Sequence, residues 1–282
     1  MQRMRNPFRA DKLALNVFLT VVITVCVQSS PVRAQDVGTD SRPKGKPAET
    51  GYTMPSIKNV LGDLHALDPI PLPLVQRQPP DFIPPNRVAL AFGFGGLIAD
   101  GFLNVAAQNK DALVPLNRAL RQYANSLGVG KTYSARASSL AVLAQREKWS
   151  ELEQELINTQ QSVEAAMKTL HDEELARLVS LGGWMRALQI ASTICVKWPT
   201  PERLALLKRP ELADYFIHQL ESLPHSLAKR RITARTLANL KELRPLLNGP
   251  FTPERVRQIH KIAMDFQVSL EQRPARPGAE TD

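Results

Sequence analysis

The run Arg87–Ala107 (RVALAFGFGGLIADGFLNVAA) is the most apolar part of the chain outside its N-terminus. It holds three phenylalanines, four glycines and a single acid, Asp100. At about 100° per residue, Ala89, Gly93, Gly96, Asp100, Asn104 and Ala107 fall on one narrow stripe of a helix. Phe94, Ile98, Phe102 and Val105 lie roughly opposite, so both sides of this helix demand burial. Each glycine costs about 0.5–1 kcal/mol relative to alanine inside a helix, and close packing has to compensate. A stripe of small and polar residues admits either another backbone or a ligand, which makes Gly93, Gly96, Asp100 and Asn104 the candidate close-packing stripe or ligand pocket. Asp100 itself needs a partner, since a carboxylate buried alone costs several kcal/mol. A core arginine or a helix N-terminus would satisfy it; alternatively it forms the polar floor of a small pocket.

The start of the chain carries an address. Arg3, Arg5, Arg9 and Lys12 form a basic segment, Leu13–Val27 is a predominantly apolar run, and Val32-Arg33-Ala34 supplies small residues around a cleavage point. This three-part pattern is that of a secretory signal peptide, and it predicts cleavage after Ala34 and a periplasmic or secreted protein beginning at Gln35. The apolar run is shorter than the roughly 18–20 residues a spanning helix needs, so no transmembrane helix is expected once the signal is removed. Cys26 raises a lipoprotein alternative, against which Val25 is not the small residue that lipidation wants. If Cys26 leaves with the signal, Cys195 is the remaining cysteine and no internal disulfide can staple the core. Cys195, in IASTICVKW, reads as a small buried residue. The signal carries five basic residues against Asp11, so the formal +9 of the whole chain falls to +5 after export. That surplus suggests anionic envelope surfaces, and export argues against nucleic acid as a partner.

Residues 35–53 are polar and rich in Gly, Pro and Lys, a disordered composition. In the next segment, 54–85, Ser56–Leu67 has apolar residues at helical spacing. It is followed by DPIPLPLVQRQPPDFIPP, whose proline density argues against helix and interior strand alike. This is either a strap laid over the domain or a semi-rigid spacer. From residue 86 to 271 the pattern is helical, and the fold expected is all-α: a single multi-helix domain of about nine helices. Asp111 is placed as the cap of a helix ending at Gly128, and Ser150-Glu151-Leu152-Glu153 as a capping box opening one long helix through Leu181. Gly182-Gly183 marks a break or a close contact. Gly183, Ala187, Ala191 and Cys195 then repeat the small-residue device, which suggests that the two glycine-bearing helices cross each other closely. Two later helices open with Thr-Pro-Glu-Arg, at Thr200 and Thr252, each offering Thr as N-cap and Pro at the first helical position. Two further helices are expected over Pro210–Leu223 and Thr233–Leu247, and residues 272–282 form a disordered tail.

The runs AFGFGGLIADGFL at 91–103, DEELARLVSLGGW at 172–184 and TPERLALLKRPELADYF at 200–216 resemble a family of exported, all-helical bacterial proteins with no known activity. The resemblance implies export and a helical domain. It implies nothing about chemistry.

Several tempting motifs have bland readings. Gly128-Val129-Gly130-Lys131-Thr132 ends like a phosphate-binding loop, but Asn125 stands where its first glycine belongs, and a helix precedes it where a strand is needed. The five histidines are scattered, and His171 with Glu174 or His218 with Glu221 falls short of the three or four ligands a zinc site takes. No Gly-x-Ser-x-Gly elbow occurs. The sequence thus nominates no catalytic, cofactor-binding or metal-ligating residue. Lys229, Arg230, Arg231 and Arg235 form the densest basic cluster, a solvated face or a patch for an anionic surface. The functional expectation is an exported, non-catalytic scaffold or interaction protein whose partner is an envelope protein or an anionic envelope polymer. The alternative is a small-ligand-binding protein using the helix around Asp100, with an enzyme third.

Overall fold

The computed structural model describes Leu67 and residues 69–271. The expected signal with Cys26, the 35–53 segment, the expected helix over Ser56–Leu67 apart from its last residue, and the 272–282 segment lie outside the described residues. Among the described residues every regular element is helical. A one-turn helix, α1 (Leu72–Val75), is followed by ten more: α2 (Arg87–Ala106), α3 (Lys110–Ser126), α4 (Gly130–Gln145), α5 (Trp149–Thr169), α6 (Glu173–Lys197), α7 (Pro201–Leu206), α8 (Pro210–Glu221), α9 (His225–Ala228), α10 (Arg231–Leu246) and α11 (Pro253–Glu271). The fold is all-α, as the hydrophobic periodicity requires.

The glycine-bearing helices α2 and α6 form the central pair. A Cβ added to Gly95 would lie 1.8 Å from the Val179 carbonyl oxygen, and one added to Gly182 would lie 2.1 Å from that of Phe92. The two backbones therefore touch, which only glycine allows. Facing partners rise together along the two helices, Phe92 with Gly182, Gly95 with Gly183 and Asp100 with Arg186, so the two helices run the same way. The expected close crossing is present but its register is not the expected one. It runs through Gly95, Gly182 and Gly183, while Gly93 faces the Tyr123 ring of α3 and Gly96 faces Arg77. By length and composition α2 would suit a membrane span, yet 83% of its apolar window is buried inside the protein. It is a core helix here.

The remaining helices pack around this pair. Phe92 meets Phe266 of α11 edge-on at 5.4 Å, and Trp184 stacks on Phe216 of α8 at 5.5 Å, aromatic geometries worth about 0.5–1.5 kcal/mol beyond their burial. The pairs α3–α4 and α4–α5 continue the bundle on one side, and α10 lies against α8 and α11 on the other.

Four successive joints share one geometry. The amides of Asn109, Val129, Lys148 and Asp172 each donate to the carbonyl five residues back, at 2.8–3.0 Å. The residue just before each donor is left-handed: Gln108, Gly128, Glu147 and His171, with φ between 54° and 87°. This is the Schellman end, and it turns the chain from α2 through α6 with joints of only three residues. It overturns several expected boundaries. The helix expected to run from Leu152 through Leu181 is cut at His171. The α5 helix starts at Trp149, with Lys148 as N-cap and not Ser150, because the joint at Glu147 already delivers the chain into a helix. Asn109, not Asp111, is the N-cap of α3. Gly182-Gly183 is no break: α6 runs straight through it. The Thr200 and Thr252 hydroxyls do accept from Arg203 N and Arg255 N, at 3.3 Å each.

The proline-rich segment 69–86 lies against the domain, and it contains a helical turn where none was expected. Pro71 is the N-cap of α1 and Pro73 sits in its first turn, where no amide hydrogen is needed. Leu67 and Val75 are buried against Phe102, Leu103, Ile190 and Ile194 of the central pair.

Candidate functional site

Asp100 sits on α2, 4% exposed, and both of its carboxylate oxygens are occupied. Oδ2 accepts from Arg77 Nε of the strap at 2.8 Å, and Oδ1 accepts from Arg186 Nε of α6 at 2.7 Å. Arg77 Nη1 also donates to Gln267 and Glu271 of α11, at 3.0 Å each. Arg186 donates further to Gln189 Oε1 and to the Val75 carbonyl. Two arginines, Asp100 and Glu271 thus balance in charge where α2, α6, α11 and the strap meet. Burial lowers the Arg186 guanidinium from its ordinary value, with Asp100 opposing and Arg77 adding repulsion. Arginine stays protonated throughout the working range.

The small-residue stripe is filled by the chain itself. The Arg77 guanidinium lies over Gly96, where a Cβ would come within 2.9 Å of Nη2. Asn104 donates to the Asp100 carbonyl at 2.7 Å and accepts from Asn109 at 3.0 Å, which ties the α2–α3 joint to the stripe. A cleft of about 230 Å³ does open beside Asp100 and Asn104, walled by Gln76, Arg77 and Pro79 of the strap and by Asn109, Asp111 and Pro115. The Asp100 carboxylate, however, is taken by its arginines. The residues missed in the sequence are Arg77, Arg186, Gln189 and Gln267, which complete the node.

Lys229, Arg230, Arg231 and Arg235 come together at the other candidate location. Lys229 ends α9, Arg230 is the N-cap of α10, Arg231 opens that helix and Arg235 stands one turn in. All four are exposed. The ion pairs of α10, Lys241 with Glu221 and Arg244 with Asp214, lie on its later turns. None of the four cations has a carboxylate partner among the described residues. A helix N-terminus carries about half a positive charge, so cations there are disfavoured by about 0.3–1 kcal/mol each.

Other sequence candidates dissolve into structure. Gly128 is the left-handed end of α3 and Gly130 the first residue of α4, with the Asn125 side chain where a Cβ would sit. Helix follows helix there, and no phosphate-binding loop is formed. The Cys195 thiol is buried, which pushes it up to about 11. His171 closes a joint, and Glu221 pairs with Lys241 and not with His218. His260 lies 3.4 Å from the Thr193 hydroxyl and 3.5 Å from that of Ser192, and burial lowers it. The Ser192 hydroxyl is fully buried and donates to the Gln189 carbonyl, so it presents no nucleophile to solvent. Among the described residues, no group of three or more His, Cys, Asp or Glu is placed to hold a metal ion.

No protein-family model matches the chain, and neither a curated protein nor a solved structure matches it.

Proposed function

We propose that this is an exported, non-catalytic interaction protein that docks on an anionic surface of the bacterial envelope through Lys229, Arg230, Arg231 and Arg235. One observation carries the reading: four exposed cations with no carboxylate partner among the described residues crowd the start of α10, where the helix dipole opposes Arg230 and Arg231. An arrangement that lowers stability is retained where something else uses it. Phosphate-bearing lipid or polymer fits, because each lysine or arginine near such a surface contributes about 1 kcal/mol of attraction. The clamp on Asp100 supports the same reading. It spends the most polar point of the core on holding the strap, which suits a rigid docking body.

The test is co-sedimentation of the purified protein with vesicles rich in phosphatidylglycerol, beside vesicles of phosphatidylcholine. Binding should be confined to the anionic vesicles and fall steeply with salt. Changing the four cations to glutamine should weaken it by about a thousandfold, the sum of four contributions near 1 kcal/mol. Undiminished binding by that variant would overturn the docking surface. The export half is tested separately, by N-terminal sequencing of protein recovered from the periplasm or medium of an exporting host. Gln35 is the expected first residue, and material beginning at Met1 would refute it.

A further inference from the structure

An open pocket of about 270 Å³ lies between α2, α3, α4 and α5, away from Asp100 and its arginines. Its apolar wall includes Leu113, Leu116, Leu120, Leu140, Leu152 and Leu156. Gly101 of α2 leaves room behind them: a Cβ there would meet Leu116 at 3.8 Å and Leu156 at 4.0 Å, ordinary contact distances. Ala141 and Ala144 keep the α4 side shallow. Protein interiors close-pack, and an apolar cavity of about 150 Å³ already takes benzene. This pocket therefore has room for a longer apolar body. It follows α3 from Lys110 to Leu120, about 15 Å at the helical rise.

The polar residues on the wall are Lys110, Asn117, Tyr133 and Gln145. The Tyr133 hydroxyl donates to Asn117 Oδ1 at 2.6 Å, which fixes the amide and leaves the Asn117 Nδ2 hydrogens without a partner among the described residues. Lys110 is the one charged residue on the wall, and its ammonium lies 2.7 Å from Glu147 in an exposed pair. Arg121, one turn beyond Asn117, is exposed, and its charge bears on the Tyr133 hydroxyl. Cations stand toward both ends of the slot and no carboxylate lines it. A few placed polar groups on a concave apolar wall is the general form of a small-molecule site.

We propose that this pocket binds a medium-chain monocarboxylate, with the acyl chain along the leucines and the carboxylate accepting from Asn117 Nδ2 near Arg121. The site is independent of the cationic surface at Lys229–Arg235. An amine head would stand among the like charges of Lys110 and Arg121, and a neutral head would forgo the charge of Arg121. The occupant is therefore a fatty-acid-like anion.

Titration calorimetry of the purified protein with decanoate, decanol and decylamine tests this directly. Decanoate should bind saturably at one site, about tenfold or more tighter than decylamine, the discrimination of one charge-assisted hydrogen bond. Ala141→Trp, at an exposed position on the rim, should block binding while the helical circular dichroism and unfolding midpoint stay those of the parent. Asn117→Leu should erase the preference for decanoate over decanol. Absence of saturable decanoate binding would overturn the proposal. Binding that Ala141→Trp leaves intact would place the ligand elsewhere and overturn it too, and decylamine binding as tightly as decanoate would refute the anionic head.

Discussion

The contact between α2 and α6 makes a graded prediction from four glycines on one helix. At Gly95 an added methyl would lie 1.8 Å from a backbone oxygen and 2.7 Å from the Gly183 nitrogen. To reach the 3.4 Å at which ordinary contact begins, the two helices must separate by about 1.6 Å along that direction. No rotamer relieves a clash with backbone, so the whole contact has to open. Overpacking of this kind costs about 1–3 kcal/mol and occasionally more. Alanine returns about 0.5–1 kcal/mol of helix propensity, which leaves Gly95→Ala roughly 1–2 kcal/mol destabilised. At Gly96 the obstacle is the far end of the Arg77 side chain, 2.9 Å away, and at Gly93 it is the Tyr123 ring at 2.8 Å. Both can yield, so these alanines should fall within about 1 kcal/mol of the parent, with propensity and crowding nearly offsetting. At Gly101 the nearest atom is 3.8 Å away, and alanine should stabilise by up to about 1 kcal/mol.

The assay is urea unfolding followed by circular dichroism, with the slope checked for constancy so that midpoints report stability. The expected order is Gly101→Ala above parent, Gly93→Ala and Gly96→Ala near it, and Gly95→Ala clearly below. If Gly95→Ala unfolds with the parent, the backbones do not touch at this glycine and the packing of the central pair has been misread. If Gly96→Ala is the worst of the four, Arg77 is held far more rigidly than a strap residue with 19% of its side chain exposed should be.

Three further outcomes follow from the same structure. Asp100→Asn should lose about 3–5 kcal/mol, because it strands Arg186 in the core without a counter-charge; a higher melting temperature would instead mark the carboxylate as held against stability for a ligand. His260 is lowered by burial, so unfolding releases a group that binds a proton more readily than the folded protein does. Stability should therefore be full above about pH 6.5 and decline as pH falls toward the lowered value, a slope that His260→Gln should flatten in urea titrations at stepped pH. His171→Gly should stabilise by up to about 1 kcal/mol, since glycine relieves a left-handed residue at φ 57°, and a drop in the urea midpoint would show that the ring contributes more than the strain removes.

The periodicity of apolar residues was enough for the fold class, and the Thr-Pro openings were enough for two helix starts, since a hydroxyl cap and a proline without an amide hydrogen suit that position anywhere. The joints were harder. Gly128 announces a left-handed helix end, whereas Gln108, Glu147 and His171 adopt the same conformation with side chains that give no sign of it. Their strain, about 1–2 kcal/mol each, is accepted because the following helix is already committed by its own packing. That is tertiary information. It explains why the 152–181 stretch reads as one helix and is two. The leucine-walled pocket was invisible for a related reason: Gly101, Asn117, Tyr133 and Ala144 come from three helices, and no spacing within one segment brings them together.

The register of the central pair, by contrast, was available from charge. Asp100 is the one charged residue between Val88 and Ala107, and Arg186 is the one between Leu178 and Val196. Two stretches too apolar to face water each carry a single charge, of opposite sign. Neither can be buried alone, so the two have to meet. If the helices run the same way, that pairing sets an offset of 86, which brings Gly95 beside Leu181 and Gly182. Running oppositely, it would bring Gly95 against Ala191, with no glycine to receive it. Only the parallel arrangement lets the ion pair and the glycines be satisfied together, and it is the one observed. Reading the glycines by angle alone selected Gly93 and Gly96 because they align with Asp100. The residue that lies against α6 had to be chosen by where Arg186 sits on the partner.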